Sequence, residues 1–265
     1  TPKQSTKARA RAARRRNTET IGRGVCSDTD FTGPSGVPGC GSIGRNSSQA
    51  LAAPFDSALT YDAVVVGSGA TGAVAAQTLA EQGLQVLVLE AGDWDRDFWL
   101  KLPVGYFRSI NNPKVSRHFA TTPVEGTAGR SIDWPRGKVI GGSSSINGLI
   151  FIRGQRENFD SWAALGNKGW SYADVLPYFR RLECFSGPVS QFHGSHGELQ
   201  VSQLRNDHPH CAAWVDAACQ FGLSRNPDFN GTSTMGVGAY HLSIGRRWRS
   251  SAARAFLKPA MKRSN

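Results

Sequence analysis

No stretch of this 265-residue chain strings together the about 18 apolar residues that a membrane-crossing helix needs, and its start lacks the apolar core of a secretory leader. Cysteine is sparse. Cys26, Cys40, Cys184, Cys211 and Cys219 form no C-x-x-C pair and no zinc spacing, which argues against zinc ribbons, thioredoxin-type motifs and disulfide scaffolds; nothing demands an oxidising compartment. Cys211 and Cys219 are expected on one helix as small buried residues. Acids are also scarce: 20 Asp+Glu face 31 Lys+Arg, a formal net charge of +11. Residues 1–55 hold nine of the basic residues and three of the acids, so much of the excess belongs to the front of the chain. There KARARAARRR passes into the Gly/Ser/Pro-rich FTGPSGVPGCGSIGRNSSQALAAP, with no helical or strand period and too little apolar content for a core. The segment reads as a disordered, solvated extension. A nucleic-acid or anionic-membrane arm and an organellar transit segment are the alternatives.

The pattern changes at Tyr61. In YDAVVVGSGATGAVAAQTLAEQGLQVLVLEAG (61–92), the run Ala63–Val66 reads as a strand buried on both faces. Gly67, Gly69 and Gly72 follow with G-x-G-x-x-G spacing, then a helical pattern to about Gln82, stopped by Gly83. A second strand, Val86–Leu89, ends in Glu90. Each residue type has a mechanical reason. Gly67 allows the tight turn, Gly69 lets a pyrophosphate approach the backbone, and Gly72 lets the helix pack on the strand. The helix N-terminus offers free N–H groups to phosphate, and Glu90 stands where a carboxylate can accept from ribose hydroxyls. Strand, glycines, helix and acid agree on a dinucleotide site.

Beyond Gly92 the chain is expected to be irregular, with Trp94, Phe98, Trp99, Tyr106 and Phe107 forming either a lid or a satellite core. A second block, GRSIDWPRGKVIGGSSSINGLIFIRG (129–154), has Pro135 and Gly137 marking a turn. In Gly141-Gly142-Ser143-Ser144-Ser145, N–H groups and hydroxyls can face an anion or polar ring. Leu149–Ile152 reads as a strand or buried segment. Helices are expected over Asn158–Leu165 and Tyr172–Cys184, the latter capped by Ser171 with Asp174, with Pro177 near its first turns. Gly245–Arg263 holds seven basic residues and no acid, and its Ala252, Ala253, Ala255 and Phe256 suggest a packed helix with a basic outer face. His208 and His210 flank a proline without a matching ligand set, so no metal site is expected.

The two glycine-rich blocks, together with DSWAALGNKGWSYADVLPYFRRLE, FHGSHGELQV, DFNGTSTMGVGAYHLS and GRRWRSSAARAFLKPAMKRSN, resemble the glucose–methanol–choline (GMC) family of FAD-dependent oxidoreductases over about residues 61–265. Bacterial long-chain alcohol dehydrogenases and choline dehydrogenases are the members most alike, and WPRGKVIGGSSSIN and RWRSSAARAFL lean toward the former. The resemblance implies that Gly67, Gly69, Ala70, Thr71 and Gly72 line the FAD pyrophosphate, with Glu90 on the adenosine ribose. It likewise implies that Gly142, Ser143, Asn147, Gly148 and Ile150 lie along the flavin half. Some relatives carry a flavin-bonding His where this chain has Ile146, so FAD is expected to be held non-covalently. An aromatic lid and a second Gly/Ser loop also suit a flavin better than a nicotinamide, whose enzymes usually continue into further βαβ crossovers.

In that family the alcohol gives a hydride to the flavin while a His, paired with His or Asn, takes the hydroxyl proton. Those residues lie near the end of a chain about twice this long, by the same resemblance. None of His118, His193, His196, His208, His210 or His241 sits in that motif, so no catalytic residue is assigned and the site is expected beyond Asn265.

The resulting expectation is an α/β chain whose fold is a Rossmann-type FAD domain with the beginning of an α+β substrate domain. The extension covers 1–55, the FAD domain with its lid 56–185, and the start of the substrate domain with a return to the FAD domain 186–265. As the N-terminal portion of an alcohol or choline dehydrogenase, residues 1–265 alone are expected to hold FAD weakly and not to turn over. The substrate is a small alcohol, the electron acceptor a quinone or dioxygen, and no nucleic acid is expected. A cytoplasmic location follows, with peripheral attachment to the inner membrane left open. A nicotinamide-dependent dehydrogenase, a basic nucleic-acid binder and a non-catalytic dinucleotide-binding fragment are the rival readings.

Overall fold

In the computed structural model, residues 60–204 and 208–265 are described, and the basic 1–55 segment with Cys26 and Cys40 lies outside them. The β-branched run Ala63–Val66 is strand β1, the pattern after the glycines is helix α1 (Ala70–Glu81), and Val86–Leu89 is β2. β1 and β2 pair in parallel, Ala63 opposite Val86 and Val66 opposite Leu89, as a helical crossover permits. Gln82 caps α1, and Gly83 leaves it at φ +89°, a left-handed conformation that glycine adopts without strain.

The small alanines of α1 allow close packing. Ala73 and Ala76 are buried with Ile140, Ala252, Ala253, Ala255, Phe256 and Leu257 in the main core. The last four lie in a wide π-type turn, Ala253–Leu257, that continues into a short helical turn, Lys258–Ala260. The expectation that β1 is buried on both faces does not hold. Val64 and Val66 are 55% and 83% exposed, because α1 and the π-type turn cover one face and no layer among the described residues covers the other.

The segment after Gly92 is more regular than its composition suggests. It holds the helical turns α2 (Phe98–Lys101) and α3 (Tyr106–Ser109) and strand β3 (Ser116–Ala120). β3 pairs antiparallel with β4 (Asp133–Gly137), so Pro135 and Gly137 lie in a strand and not in a turn. Pro135 sits opposite His118 in a two-stranded ribbon, where a missing N–H is tolerated on the free edge. The small core beneath this cover is aliphatic: Leu100 and Val115 meet Val139 and Ile146. Phe98 and Phe107 remain exposed.

Helices α4 (Arg156–Ala164) and α5 (Tyr172–Leu182) follow the sequence expectation. The Ser171 hydroxyl donates to Asp174 at 2.5 Å and accepts from its backbone N–H at 3.3 Å, a reciprocal cap worth about 1 kcal/mol. Pro177 lies inside α5, but it and Ala173 are on the exposed face, where water can take the carbonyl that Pro177 leaves without a donor. The helix ends at Leu182, so Cys184 falls in strand β5 (Glu183–Phe185). β5 pairs parallel with β6 (Leu199–Gln203), which pairs antiparallel with β7 (His241–Leu242).

Two further expectations are corrected. Leu149–Ile152 forms no strand: Ile150 makes a single bridge to Leu242, and Ile150 and Ile152 are exposed while Leu149 is buried at φ 66°. Cys211 and Cys219 do share helix α6 (Pro209–Gln220), but Cys211 is exposed and Cys219 half-buried. No residue of α6 is buried, because no other layer closes over it among the described residues.

Behind β5 lies a buried charge cluster. The Arg153 guanidinium pairs with fully buried Glu183 at 2.6 Å. The His193 ring meets Glu183 through Nδ1 and Asp228 through Nε2, both at 2.9 Å. Burial alone would favour a neutral ring, but the hydrogen bonds to Asp228 and Glu183 and their charges outweigh it and push the His193 pKa from 6.5 to about 9. Burial would also raise Asp228, and the His193 bond and its partners instead hold it below its ordinary value.

Because the folded state holds the His193 proton more tightly than the unfolded chain, this contribution is complete below pH 6.5 and lost as pH rises to about 9. Thermal melts of the wild type should therefore fall in that window by about 2–4 °C for each kcal/mol lost. His193→Gln should be less stable at the acid end of the window and flatter across it. Parallel curves for the two proteins would show that the ring carries no extra proton.

Candidate functional site

Three residues at the end of β1 make the turn that opens the site. Gly67 has φ +91° and donates to the Leu89 carbonyl at 2.7 Å, which joins the turn to β2. A Cβ on Gly72 would overlap the Gly67 carbonyl, so only glycine lets α1 start this close to the strand. Gly69 differs: a Cβ there would meet no atom within 4 Å, so its outward side is open. Gly69 is also the N-cap residue of α1, and no side chain caps it. The first-turn N–H groups and the positive end of the helix thus face an open space suited to phosphate.

The second glycine block comes to the same place. Gly141 and Gly142 take φ +88° and +56°, and a Cβ on Gly142 would stand 2.8 Å from the Gly69 Cα. At that point the two loops meet glycine to glycine. Ser68, fully buried, joins them: its hydroxyl donates to Glu90 Oε2 at 2.6 Å and accepts from the Gly141 N–H at 3.2 Å. The Ser68 N–H also donates to Oε2, and the Gly92 N–H donates to Oε1 at 2.8 Å. Glu90 therefore braces the turn in addition to any bond it offers a ribose. Sequence reasoning missed Ser68, since it fills a variable position of the glycine pattern.

A cleft of about 520 Å³ runs between the loops. Ala70 and Thr71 line one end, and Ser144, Asn147, Ile150 and Phe151 continue the wall. Gly67, Gly72 and Glu90 stand behind it as framework. Gly148 lies beside the Tyr106 ring of the cover, whose Cε2 would be 4.0 Å from a Cβ there. Two of the three serine hydroxyls spend their proton within the loop, and exposed Ser143 keeps its O–H donor. Ser143 accepts from the Gly137 N–H, Ser144 bonds the Gly141 carbonyl and Ala252 N–H, and Ser145 donates to the Ile140 carbonyl. They hold the short 3₁₀ turn Gly142–Ser145 in shape.

The histidines divide by environment. His118 is bonded to Asp133 at 2.6 Å, which raises its pKa, on the outer ribbon. His196, His208 and His210 are exposed. His193, Asp228 and His241 bring ligand atoms within 4.8 Å of one another, a spacing open to a metal ion. A proton already serves there: both His193 nitrogens are taken by carboxylates, and Arg153 and His193 balance Glu183 and Asp228 in charge. A divalent cation would break that balance.

The described site can be set beside known proteins. A family model described as GMC oxidoreductase matches residues 61–265, the stretch that holds both loops and the cleft. The chain belongs to the GMC oxidoreductase family. It is 41% identical over 207 residues to an oxygen-dependent choline dehydrogenase of Brucella anthropi, covering 77% of this chain and 37% of that protein. An oxygen-dependent choline dehydrogenase of Photobacterium profundum is 38% identical over 217 residues, covering 78% and 37%. The chain thus spans little more than a third of the length of these curated relatives. In structure it is similar to a pyridoxine 4-oxidase from Mesorbium loti, with TM-score 0.71, 30% identity and coverage of 77% and 40%. It is also similar to an FAD-dependent oxidoreductase from Chaetomium thermophilum, with TM-score 0.69, 30% identity and coverage of 77% and 37%.

The glycines of this GMC chain have separable jobs, which two substitutions should resolve. Gly72→Ala forces backbone overlap and should cost about 1–3 kcal/mol, read as a lower melting temperature. Gly69→Ala should melt within about 0.5 kcal/mol of wild type yet weaken dinucleotide binding at least tenfold, since the methyl projects into the open side. Equal melting losses in both variants would remove the distinction between framework and ligand-facing glycine.

Proposed function

We propose that this chain forms the FAD-binding part of an oxidoreductase that oxidises a small alcohol, alcohol dehydrogenase-like in class. When bound, FAD supplies a two-electron hydride acceptor that no side chain can provide. The observation that carries the reading is the single cleft shared by the α1 N-terminus, at Ala70 and Thr71, and the second loop, at Asn147 and Ile150. The first end suits a pyrophosphate, beside Gly67, Gly69 and Gly72, and Glu90 is placed to accept from a ribose. The second end, with Gly142, Ser143 and Gly148, suits the flavin half. Ile146 is buried and offers no nucleophile, so the cofactor is held non-covalently.

Within this chain the residues bind and orient; none is assigned as the base. His193 is bonded at both nitrogens, and His241 is 3% exposed and does not line the cleft, so neither is placed to take a substrate proton. Among the described residues no helix is long and apolar enough to cross a membrane. Choline is the second substrate reading, favoured by relatives named oxygen-dependent choline dehydrogenase, and the same names favour dioxygen over a quinone as acceptor.

The test is whether the protein expressed from its full reading frame binds FAD in preference to NAD and loses its flavin absorption band anaerobically on adding choline or a primary alcohol. Binding of NAD and not FAD would overturn the reading. At the level of one residue, Glu90→Ala removes an acceptor of three protein donors and of the ribose, with charge-assisted bonds worth about 1.5–3 kcal/mol. FAD affinity, followed by flavin fluorescence, should fall roughly tenfold or more, with Glu90→Gln intermediate. Unchanged affinity in Glu90→Ala would remove Glu90 from the site.

A further inference from the structure

The Gly245–Arg263 stretch does not carry all its charge on an outer face. Arg249 ends the strand Trp248–Arg249 and is 2% exposed. Its Nε donates to the Leu100 carbonyl at 3.1 Å. Its Nη1 donates to the Ser144 carbonyl at 3.2 Å and to the Asn147 carbonyl and Oδ1, both at 2.8 Å. Nη2 is buried without a partner. Every acceptor is neutral. Burial alone draws the Arg249 pKa down to about 10, with no carboxylate to offset it. A buried guanidinium without a counter-charge is costly, and an orphaned donor on it calls for an explanation.

Its position supplies one. The carbonyls it gathers belong to the loop that walls the cleft at Ser144 and Asn147. In a trans peptide the N–H points opposite to the C=O, so drawing these carbonyls toward Arg249 turns the following N–H groups away from it. Asn147 Oδ1 is held by Arg249 and by the Leu149 N–H at 3.2 Å, which leaves Nδ2 as the unspent donor of an exposed side chain. Arg249 thus removes acceptors from this wall and places a full positive charge behind it. With phosphates at the Ala70 and Thr71 end of the cleft, the stretch beyond Asn147, with Ile150, Phe151 and Phe256, would hold the ring they carry.

We propose that Arg249 is a positioning residue that favours negative charge on that ring, and so stabilises the reduced flavin over the oxidised one. The inference rests on the FAD reading above. The charge balance is simple: a hydride would bring two electrons and one proton to a neutral bound ring and leave it one negative charge, which the Arg249 charge behind the loop would offset. The same field is present before reduction, so no rearrangement is needed when the charge arrives.

The test compares FAD dissociation constants in the oxidised and dithionite-reduced states, using protein from the full reading frame with Arg249 intact, Arg249→Met or Arg249→Lys. Circular dichroism checks that each variant folds. Arg249→Met should weaken the reduced complex at least tenfold more than the oxidised one, with a correspondingly lower flavin midpoint potential. Arg249→Lys keeps the charge and loses the fork, so its ratio should stay within about threefold of wild type even if both affinities fall. An equal loss in both states for Arg249→Met would mean that the residue only holds the loop, which overturns the proposal. If Arg249→Met does not fold, the neutral Arg249→Gln, which keeps donors for the same carbonyls, takes its place, and an equal loss of affinity in both states for it overturns the proposal. A wild-type protein that binds FAD in neither state would instead overturn the FAD reading, and this inference with it.

Discussion

A single buried carboxylate organises the site. Glu90 ends β2 and accepts the Ser68 N–H, the Ser68 hydroxyl and the Gly92 N–H, while the same hydroxyl receives the Gly141 N–H. Through two side chains, the end of β2, the turn after β1 and the second glycine loop are fixed to one another. The bonds to a charged acceptor are the strong kind, and their burial makes any lost partner expensive. The glycines then set how near the loops can come. Gly72 closes on Gly67 and Gly142 closes on the Gly69 Cα, while the Cβ direction of Gly69 stays open.

Two buried charge arrangements support this wall of the site. The Arg153–Glu183–His193–Asp228 cluster is balanced, and it anchors the wall segment that carries Ile150 and Phe151. Arg153 and Phe151 both bond Asn230, which accepts from the Arg153 N–H at 2.8 Å and donates to the Phe151 carbonyl at 2.9 Å, and the Phe151 N–H reaches the His241 carbonyl at 2.9 Å. Arg249 is unbalanced and bonds the Ser144 and Asn147 carbonyls, earlier in the same wall. The first arrangement pairs its charges, and the second leaves one buried positive charge with no carboxylate among its hydrogen-bond partners.

Much of this was legible in the sequence where the constraint is local. Gly67, Gly83 and Gly141 mark left-handed turns, Ser171 and Asp174 announce their own cap, and β1–α1–β2 follows from period and punctuation. What failed was non-local. Pro135 and Gly137 carry turn chemistry, but pairing with β3 places them in a strand. Val64 and Val66 read as core, although burial depends on a layer that no local pattern encodes. Arg249 was counted with an outer basic face, and only its contacts with Leu100, Ser144 and Asn147, more than a hundred positions away, reveal it as buried. The His193 cluster was invisible for the same reason, since Asp228 is 35 positions from its partner.

The account depends on the two glycine loops forming one cofactor site, and hydrogen exchange with and without FAD tests that most directly. FAD should slow exchange in residues 67–73 and 141–148 together, with the same dependence on FAD concentration, while helix α6 exchanges unchanged. Protection confined to one loop, or protection of both by NAD but not by FAD, would contradict it.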